Sequence, residues 1–368
     1  MRYGLIMAGG AGTRLWPLSR RNRPKQLIPL VRGRTLLELS WQRLRTLLPP
    51  ERIYVCTRAD YEQGVRANLP DLPAGNLLGE PEGRDTANAV GFAAAVLHKA
   101  DPDAVVAVVT ADHVIEPLDS FRQALDLAFE VVDNQPRSLV TFGIVPTEPH
   151  TGLGYIHRGE AMAVPSGRPG VHRVLEFKEK PDKATADRYV ESGRYYWNSG
   201  MFVWRCDTVL AELARHLPDC HKGVTAIAEA WGTPQQQSVL NDVYPRLPRI
   251  SIDYAVMEPV SRGRGSAQVV TVEMPVEWLD IGSWPALAET LAVDDHDNAT
   301  EAELCVLLDC DDNIIVSRDP EHLIAAAGLS DMIVVHTRDV TMICPRREAQ
   351  KVKNLVEQVH RQTGDRFT

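Results

Sequence analysis

The amino-acid sequence predicts an α/β fold, in which helices cover both faces of a mostly parallel sheet and a small β-rich C-terminal domain follows. Apolar runs of strand length alternate with helix-like segments through the first half of the chain. Strands that are buried on both faces read as continuous apolar runs, which is typical of parallel sheets. After residue 304, short β runs separated by turn residues follow one another instead.

The first half of the chain alternates strands and helices. Strands are predicted at residues 3–8, 53–57, 104–110 and 139–145, and helices at residues 36–48, 86–99 and 120–132. Thr35 is the predicted N-cap of the first helix, which Pro49 and Pro50 terminate. In such Rossmann-like folds ligands bind at the carboxyl ends of the strands. This rule directs attention to residues 9–12 after the first strand and to Asp112 after the third.

The second half of the chain is less regular. Shorter strands and loops between residues 151 and 276 predict a substrate-binding insertion, and a helix at 284–292 leads to an Asp-rich hinge at 294–298. We therefore predict a catalytic domain over residues 1–293 and a small β-rich domain over 294–368 that closes with a helix at 347–361. Because the β runs recur at unequal spacing, the sequence does not predict a repeat protein.

Composition excludes several classes of partner. The chain has 368 residues, 44% of them hydrophobic, which suffices for one large and one small domain. Its net charge of -9 argues against a broad nucleic-acid surface. No apolar run is long enough to span a membrane, so we expect no membrane partner. Six scattered cysteines without paired spacing predict reduced thiols and a cytoplasmic location.

A Gly-rich loop follows the first predicted strand. Gly9, Gly10 and Gly12 allow successive backbone N–H groups to face one anion, while Arg14 and Lys25 supply positive charge. An arginine can fork onto phosphate oxygens, and a lysine acts as a point charge. The glycines alone fit a tight turn equally well, because short Gly patterns arise by chance. The spacing matches neither GxxxxGK[ST] nor GxGxxG.

The loop and its continuation, GGAGTRLWPLSR followed by RPKQ, resemble the signature of sugar-1-phosphate nucleotidyltransferases, and among them the mannose-1-phosphate guanylyltransferases. Further motifs resemble that family in its order: EPEGRDTANA, TADH, TGLGYI, EFKEKPD, WNSGMFVW, SIDYAVME and WLDIGSW. The resemblance covers roughly residues 1–345 and implies the nucleotidyltransferase fold. It also implies the short form, which ends before the isomerase domain of longer bifunctional relatives.

The resemblance implies transfer of GMP from GTP to mannose 1-phosphate, giving GDP-mannose and pyrophosphate. Both reactants are anions, so the site must neutralise their repulsion and align them. Asp112 and Asp280 are the candidate ligands for Mg²⁺ or another divalent cation, since each ends a strand-like run and Mg²⁺ needs few protein carboxylates. Taken singly, either aspartate is as readily a helix cap or a turn residue.

The family pattern also implies the other catalytic and sugar-binding residues. The implied catalytic set is Arg14, Lys25, Asp112, Lys180 and Asp280. Lys180 resembles the lysine that meets the sugar phosphate, and Glu179 the residue that accepts hydrogen bonds from sugar hydroxyls. Asn198 can donate and accept at once, and Gly154 lets the backbone approach the sugar. Without the family match, the charged run around Lys180 would be read as a solvated loop.

Base selection is expected within residues 80–86. Guanine presents adjacent donors, so a carboxylate is a natural partner, and Glu80 and Asp85 are both available. The sequence does not choose between them, and an ordinary loop with Thr86 capping the next helix is equally consistent. The predicted nucleotide-binding set is Ala8, Gly9, Gly10, Gly12, Thr13, Glu80, Asp85 and Thr86.

Some positions depart from the family pattern. Asn88 and Leu153 stand where the family often has Pro and Tyr, and Leu153 makes strict mannose preference less secure. His113 beside Asp112 fits a ligand or a structural histidine equally well. One alternative function is transfer to another sugar 1-phosphate, giving GDP-glucose, GDP-heptose or a UDP- or dTDP-sugar. The other is a catalytically silent regulatory relative. Short C-terminal strands leave edges that need covering, which predicts a homodimer.

Overall fold

The computed structural model describes residues 1–10 and 12–368, so Ala11 of the Gly-rich loop lies outside the described residues. The strands in chain order are β1 Arg2–Met7, β2 Pro29–Val31, β3 Arg34–Thr35, β4 Ile53–Arg58, β5 Leu77–Glu80, β6 Val105–Thr110, β7 His113–Glu116, β8 Ser138–Ile144, β9 Tyr155–Ala161, β10 Val171–Lys178, β11 Tyr195–Arg205, β12 Gln268–Glu273, β13 Glu277–Asp280, β14 Ala292–Val293, β15 Ala299–Glu301, β16 Cys305–Leu308, β17 Ile314–Ser317, β18 Ile324–Ala327, β19 Met332–His336 and β20 Thr341–Pro345.

The α-helices in chain order are α1 Leu36–Arg45, α2 Glu62–Asn68, α3 Thr86–Ala100, α4 Leu118–Asn134, α5 Lys183–Ser192, α6 Cys206–His216, α7 Pro218–Ala230, α8 Gln236–Val243, α9 Glu258–Ser261, α10 Trp284–Ala288 and α11 Val352–Thr363. The predicted cap of α1 is confirmed, because the Thr35 hydroxyl accepts a hydrogen bond from the Glu38 backbone and the Glu38 carboxylate accepts one from Thr35. Within residues 1–10 and 12–368, no helix is both long and apolar enough to cross a membrane.

The main sheet has nine strands in the order β5-β4-β1-β6-β11-β8-β12-β10-β9. The α/β class is confirmed, and the predicted parallel pairing holds among β5, β4, β1 and β6 and again between β8 and β12. The sheet as a whole is mixed, because β9, β10 and β11 pair antiparallel with their neighbours. Residues 151–276 therefore extend this same sheet. The alternating burial of β10 explains why that strand does not read as an apolar run.

Two hydrophobic cores lie on opposite faces of the main sheet. One core packs α3, α6 and α7 against residues such as Leu5, and the other packs α1 and α4 against residues such as Ile6. Neighbouring strand residues point to opposite faces, so adjacent positions of β1 serve different cores. Both faces of the central strands are thus closed, which leaves the strand ends as the place for a site.

The predicted C-terminal β unit is confirmed, and most of its short strands pair in parallel, one above another. β15, β17 and β19 pair in parallel, as do β16 and β18. Stacked positions are separated by 15 residues from Ala299 to Ile314 but by 19 residues from Ile314 to Ile333, so no regular period is visible in the sequence. A third core joins Ile314 and Ile333 to Leu15 and Trp16. The C-terminal unit therefore packs on the segment that follows the Gly-rich loop.

Candidate active site

Two acidic residues that are distant in sequence meet beside the end of β6. Asp112 follows that strand, and Asp280 ends β13, which pairs antiparallel with β7 so that Asp280 stands opposite His113. The Ile281 backbone N–H donates to the Asp112 carbonyl oxygen at 3.0 Å. One ligand atom from each of Asp112, His113 and Asp280 can be chosen so that all three lie within 4.8 Å of one another. The sheet topology thus builds a cluster able to hold a metal ion.

The cluster fits a divalent cation on its own chemistry. In the described part of the chain, Asp280 Oδ1 is buried and has no hydrogen-bond partner. Burial opposes ionisation of Asp112, but the positive charge of Lys25 and the neighbouring His113 hold its pKa well below the usual range. Burial also lowers the pKa of His113, whose Nδ1 lies 2.7 Å from the Thr110 hydroxyl. Ionised carboxylate oxygens are the ligands that Mg²⁺ prefers.

Lys25 ties this cluster to the Gly-rich loop. Its buried ammonium lies 3.0 Å from Asp112 Oδ2 and donates to the Ile281 carbonyl oxygen at 2.8 Å. The lysine opens a short 3-10 helix, Lys25–Leu27, directly after Pro24. Gly12 has a φ of 63°, and a Cβ there would lie 2.6 Å from Lys25 Cγ. Only glycine allows the loop and the lysine stem to approach this closely.

Gln26 organises the Gly-rich loop, a role that the sequence does not predict. Its buried amide donates to the Ala8 carbonyl at 2.7 Å and to the Gly10 carbonyl at 3.3 Å. The Thr57 hydroxyl donates to the same Ala8 oxygen at 2.8 Å. The Ala8 and Gly10 carbonyls are therefore engaged behind the loop, which constrains the backbone at these two residues from that side. The only signal available in the sequence is the place of Gln26 beside Lys25 in the RPKQ segment.

Arg14 lies where the Gly-rich loop, the WLDIGSW segment and the C-terminal unit meet. The short 3-10 helix Thr13–Leu15 carries it, and its Nη1 donates to Gln350 Oε1 at 3.2 Å. A Cβ on Gly282 would lie 3.3 Å from Arg14 Nη2. Arg14 and Asp280 thus flank Gly282, so a cation and a carboxylate lie side by side at this edge.

The two candidate base-reading carboxylates differ in environment. Glu80 ends β5, is 4% exposed, and its Oε1 accepts a hydrogen bond from the Tyr244 hydroxyl. Burial raises its pKa to about 7, although the bond from Tyr244 and the charge of Arg58 oppose the shift. Its second oxygen faces the loop, because a Cβ on Gly9 would lie 3.9 Å from it. Glu80 is therefore the carboxylate that the fold brings to the loop.

Asp85 serves as a helix cap. It has a φ of 69°, and its side chain accepts a hydrogen bond from the Thr86 backbone at 2.8 Å, at the start of α3. The cap is thus Asp85 and not Thr86, which the ordinary-loop interpretation of the sequence predicts as the cap. The Thr86 hydroxyl instead accepts a hydrogen bond from the Ile252 backbone at 2.9 Å. A short polar side chain before a helix favours this capping geometry.

The residues expected to bind the sugar gather beside β11. A Cβ on Gly154 would collide with the Glu179 carboxylate, so glycine makes room for that side chain. The Asn198 backbone N–H donates to the Gly154 carbonyl at 2.8 Å. A register shift in β11 follows Asn198 and contains Gly200, whose φ is 66°. Such a bulge changes the direction of the side chains beside it. Because β11 pairs with β6, this group lies next to the acidic cluster.

Asp253 joins this group, although the sequence predicts no role for it. It lies in a single π-helical turn, Asp253–Met257, and its Oδ1 accepts a hydrogen bond from Asn198 Nδ2 at 3.0 Å. Burial and the negative charge of Glu179 raise its pKa to about 6. Its only signal was its position within SIDYAVME. Lys180 stands at the rim, with a φ of 48° and its ammonium 3.2 Å from Glu179 Oε1.

Two protein-family models match the chain. A model described as nucleotidyl transferase matches residues 3–296. A second, described as a MannoseP isomerase/GMP-like beta-helix domain, matches residues 304–359. The first covers the main sheet and the acidic cluster, and the second covers β16 to β20 and the first part of α11.

Curated proteins and solved structures resemble the chain along nearly all of its length. The mannose-1-phosphate guanylyltransferase of Klebsiella pneumoniae is 36% identical over 360 residues, which span 97% of this chain and 74% of that protein. The protein of the same name from Escherichia coli strain K12 is 37% identical, over 97% of this chain and 73% of its own. A crystal structure described as mannose-1-phosphate geranyltransferase from Thermus thermophilus superposes with a TM-score of 0.84 and 34% identity, covering 98% of this chain and 99% of that one.

Proposed function

This chain belongs to the nucleotidyl transferase family, and we propose that it transfers GMP from GTP to α-D-mannose 1-phosphate, giving GDP-mannose and pyrophosphate. The family uses nucleoside triphosphates and sugar 1-phosphates, together with a divalent metal. The observation that carries the proposal is the convergence of Asp112, Asp280 and Lys25 on one point from distant parts of the chain. Two anionic reactants need positive charge to meet in line, and this group of residues offers it as the Lys25 ammonium and as two carboxylates able to hold a divalent cation.

We propose Asp112 and Asp280 as the ligands of Mg²⁺, with His113 adjacent. When bound, the ion neutralises charge on the phosphate oxygens. Arg14 and Lys25 are proposed to hold the triphosphate of GTP, and the backbone of the Gly-rich loop to direct its N–H groups at the same oxygens. The residues that hold the reactants do not themselves form a bond to phosphorus. They supply alignment and charge for direct attack by the sugar phosphate.

Selectivity is proposed to arise on either side of this charged centre. The second carboxylate oxygen of Glu80, Oε2, faces Gly9 and can accept from the N1 and N2 donors of guanine, whereas adenine would present an acceptor to it. On the other side, Glu179 and Asn198 are proposed to bind sugar hydroxyls beside Gly154, with the Lys180 ammonium meeting the sugar phosphate. The Leu153 side chain lies next to this group in sequence and is the reason to test other sugars.

A substrate panel tests the proposal directly. We expect mannose 1-phosphate to react with GTP at least tenfold faster, by kcat/KM, than with ATP, UTP or dTTP. Preference for UTP or dTTP would overturn the assignment, and equal turnover of glucose 1-phosphate would remove the mannose preference. Tight binding of GDP-mannose without turnover of any pair would favour the silent regulatory alternative. Exchange of radiolabelled pyrophosphate into each triphosphate, measured with mannose 1-phosphate present, provides an independent readout.

We also propose a division of the chain at residues 293 and 294, a homodimer, and a cytoplasmic location. Val306 and Leu308 of β16 are more than half exposed and form an apolar strip on the C-terminal unit, which a second copy could cover. Light scattering at working concentrations tests the dimer, and a monomer would remove it. All six cysteines are free thiols, which supports the proposed location.

A further inference from the structure

We propose that Ser40 and Arg43 of α1 are positioning residues for the metal site, because they hold both ends of the turn that carries Asp112. The inference rests on the proposed function, in which Asp112 is a metal ligand. Neither residue lies in the acidic cluster itself. Both act through the backbone of residues 110–113, which links β6 to β7.

The contacts form a continuous buried network. Arg43 is 4% exposed, and its Nη1 donates to the His113 carbonyl oxygen at 2.8 Å while its Nη2 donates to Ser40 Oγ at 2.7 Å. The Ser40 hydroxyl in turn donates to the Thr110 carbonyl oxygen at 3.0 Å. Residues three apart on a helix share one face, so one face of α1 reaches both ends of the turn. Asp112 lies between these two anchored carbonyls.

Each hydrogen-bonding group in this network has a specific use. The Ser40 hydroxyl has one proton, which it gives to Thr110, and its lone pairs can accept from Arg43. A planar guanidinium can reach two acceptors in fixed directions, whereas a lysine ammonium is a single point. Residue 43 must therefore be arginine if both the serine and the His113 carbonyl are to be held at once.

Apart from a contact with the Phe121 ring, whose centre lies 5.8 Å away and thus near the limit for a cation–π interaction, the charge of Arg43 is directed at this turn. Its two hydrogen-bond acceptors are neutral, its Nε has no partner among the described residues, and Asp112 is the acid whose negative charge stabilises the guanidinium. A buried charge is costly, and an apolar residue of similar size often serves packing as well or better. The presence of a cation behind Asp112 is therefore better explained by the placement of the turn than by the stability of α1.

The consequence concerns metal affinity. Partners that orient metal-binding side chains typically change affinity by about 10–100-fold when they are removed. We expect Arg43→Met and Ser40→Ala to raise the dissociation constant for Mn²⁺ by an amount in that range, with Arg43→Lys between them and the parent. The metal concentration that half-saturates turnover should rise in parallel, while the KM for GTP at saturating metal stays within about twofold.

The experiment titrates the full-length protein with Mn²⁺ alone and follows binding by electron paramagnetic resonance. Leu44→Val is the control, since Leu44 is a fully buried residue of the same helix and packs near Gly4 instead of the turn. Urea unfolding of Leu44→Val shows how far a loss of buried packing in α1 lowers the free energy of unfolding. If Arg43→Met does not fold, the conservative Ser40→Ala variant decides. The inference would be overturned if the folded Arg43 and Ser40 variants bound Mn²⁺ with dissociation constants within twofold of that of Leu44→Val.

Asp112→Asn separates this inference from the proposed function. If Asp112→Asn binds Mn²⁺ as tightly as the parent, the proposed metal site itself is wrong, and the inference about Arg43 fails with it. If Asp112→Asn loses the ion but Ser40→Ala and Arg43→Met keep it, the metal site stands and the positioning role alone is refuted.

Discussion

The ammonium group of Lys25 lies 3.0 Å from the carboxylate of Asp112. This contact joins the RPKQ segment, which follows the Gly-rich loop, to the turn after β6. Because the same ammonium donates to the Ile281 carbonyl, one lysine also reaches the segment that follows Asp280. Loss of that single charge should therefore affect phosphate binding and the arrangement of the acidic residues together.

Lys25→Met removes the charge and keeps the length of the side chain. We expect kcat/KM to fall by about 10²–10³, because a buried cation directed at developing phosphate charge is worth several kcal/mol. Steady-state kinetics, with circular dichroism to check the fold, measure this. Arg21→Met is the matched control, since Arg21 makes an exposed ion pair with Asp365 and such pairs contribute little. A loss smaller than fivefold in Lys25→Met would contradict the site.

Asp280→Asn tests the second proposed metal ligand. The buried Oδ1 of Asp280 lacks a hydrogen-bond partner within the residues that the structure describes, so replacing the carboxylate should break no hydrogen bond of that atom, and we expect the variant to fold. We expect it to bind the ion poorly, because Mg²⁺ prefers carboxylate oxygens. Turnover should fall by about 10² or more at ordinary Mg²⁺ concentrations, and a chelator should abolish the parent activity until Mg²⁺ is restored. Asp119→Asn is a suitable control because Asp119 is 82% exposed. Full activity of Asp280→Asn in a chelator would refute the assignment.

Glu80 predicts a pH dependence of GTP binding. Its raised pKa of about 7 keeps the carboxyl group neutral below that pH, and the better acceptor, the carboxylate, forms above it. We therefore expect the KM for GTP to fall by about tenfold between pH 6 and pH 8. The KM for mannose 1-phosphate over the same range serves as the internal control for phosphate ionisation.

Two variants check that Glu80 is responsible for this pH dependence. Glu80→Gln should raise the KM for GTP and remove the difference between the pH profiles of the two substrates. Tyr244→Phe removes a hydrogen bond that lowers the Glu80 pKa, so the midpoint should move to higher pH. A midpoint that moves to lower pH, or does not move, would argue against Glu80 as the titrating group.

Asp253 predicts a pH dependence of stability. Its pKa rises from 3.8 to about 6 on folding, so the folded state holds the proton more tightly than the unfolded state. The stability linked to this proton is complete below pH 3.8 and is lost as the pH rises through 6. Asp253→Asn should thus raise the free energy of unfolding by about 2–3 kcal/mol at pH 8 and by little at pH 4.

Urea unfolding of parent and variant at both pH values measures this effect. An equal difference at the two pH values would mean that the Asp253 charge is not its source. Because Asp253 also holds the Asn198 amide at 3.0 Å, we expect the more stable variant to bind mannose 1-phosphate more weakly, by about three- to tenfold in KM.

Gln350 predicts a contribution of the C-terminal unit to catalysis. The Gln350 Oε1 accepts a hydrogen bond from Arg14 Nη1 at 3.2 Å. Removing the Gln350 side chain therefore leaves the Arg14 guanidinium less constrained. We expect Gln350→Ala to lower kcat/KM for GTP by about three- to tenfold, consistent with one hydrogen bond to a charged group. Arg347→Ala changes an exposed residue of the same 3-10 helix and should have no such effect. Equal kinetics for the two variants would contradict the role of Gln350.

Local features of the fold could be predicted from the sequence. The Thr35 cap and the start of α1 depend on a few adjacent residues, and the apolar run before Asp112 indicates both a strand and its end. The mixed pairing of the sheet could not be predicted in this way. It depends on which strands lie next to β11, and strand neighbours are set by the packing of the whole chain.

The same limit applies to the candidate site. Asp112 and Asp280 are recognisable by type and position, but the pairing of Asp280 with His113 depends on the contact between β7 and β13. The sequence predicts no role for Gln26 or Asp253, because their importance comes from long-range hydrogen bonds to a loop carbonyl and to Asn198. A polar side chain shows no such partner in the sequence, and Asp85 likewise reads as either cap or ligand.

The C-terminal unit packs on the segment that follows the Gly-rich loop, and this packing has a consequence for protein synthesis. The Trp16 indole donates to the Phe367 carbonyl across a separation of 351 residues, so the segment after the Gly-rich loop leaves the ribosome long before its partner does. At about 5–20 residues per second, the nascent segment waits roughly 20–70 s for that partner. The main sheet can form in the meantime, but the segment that carries Trp16 gains this hydrogen bond only after Phe367 has emerged.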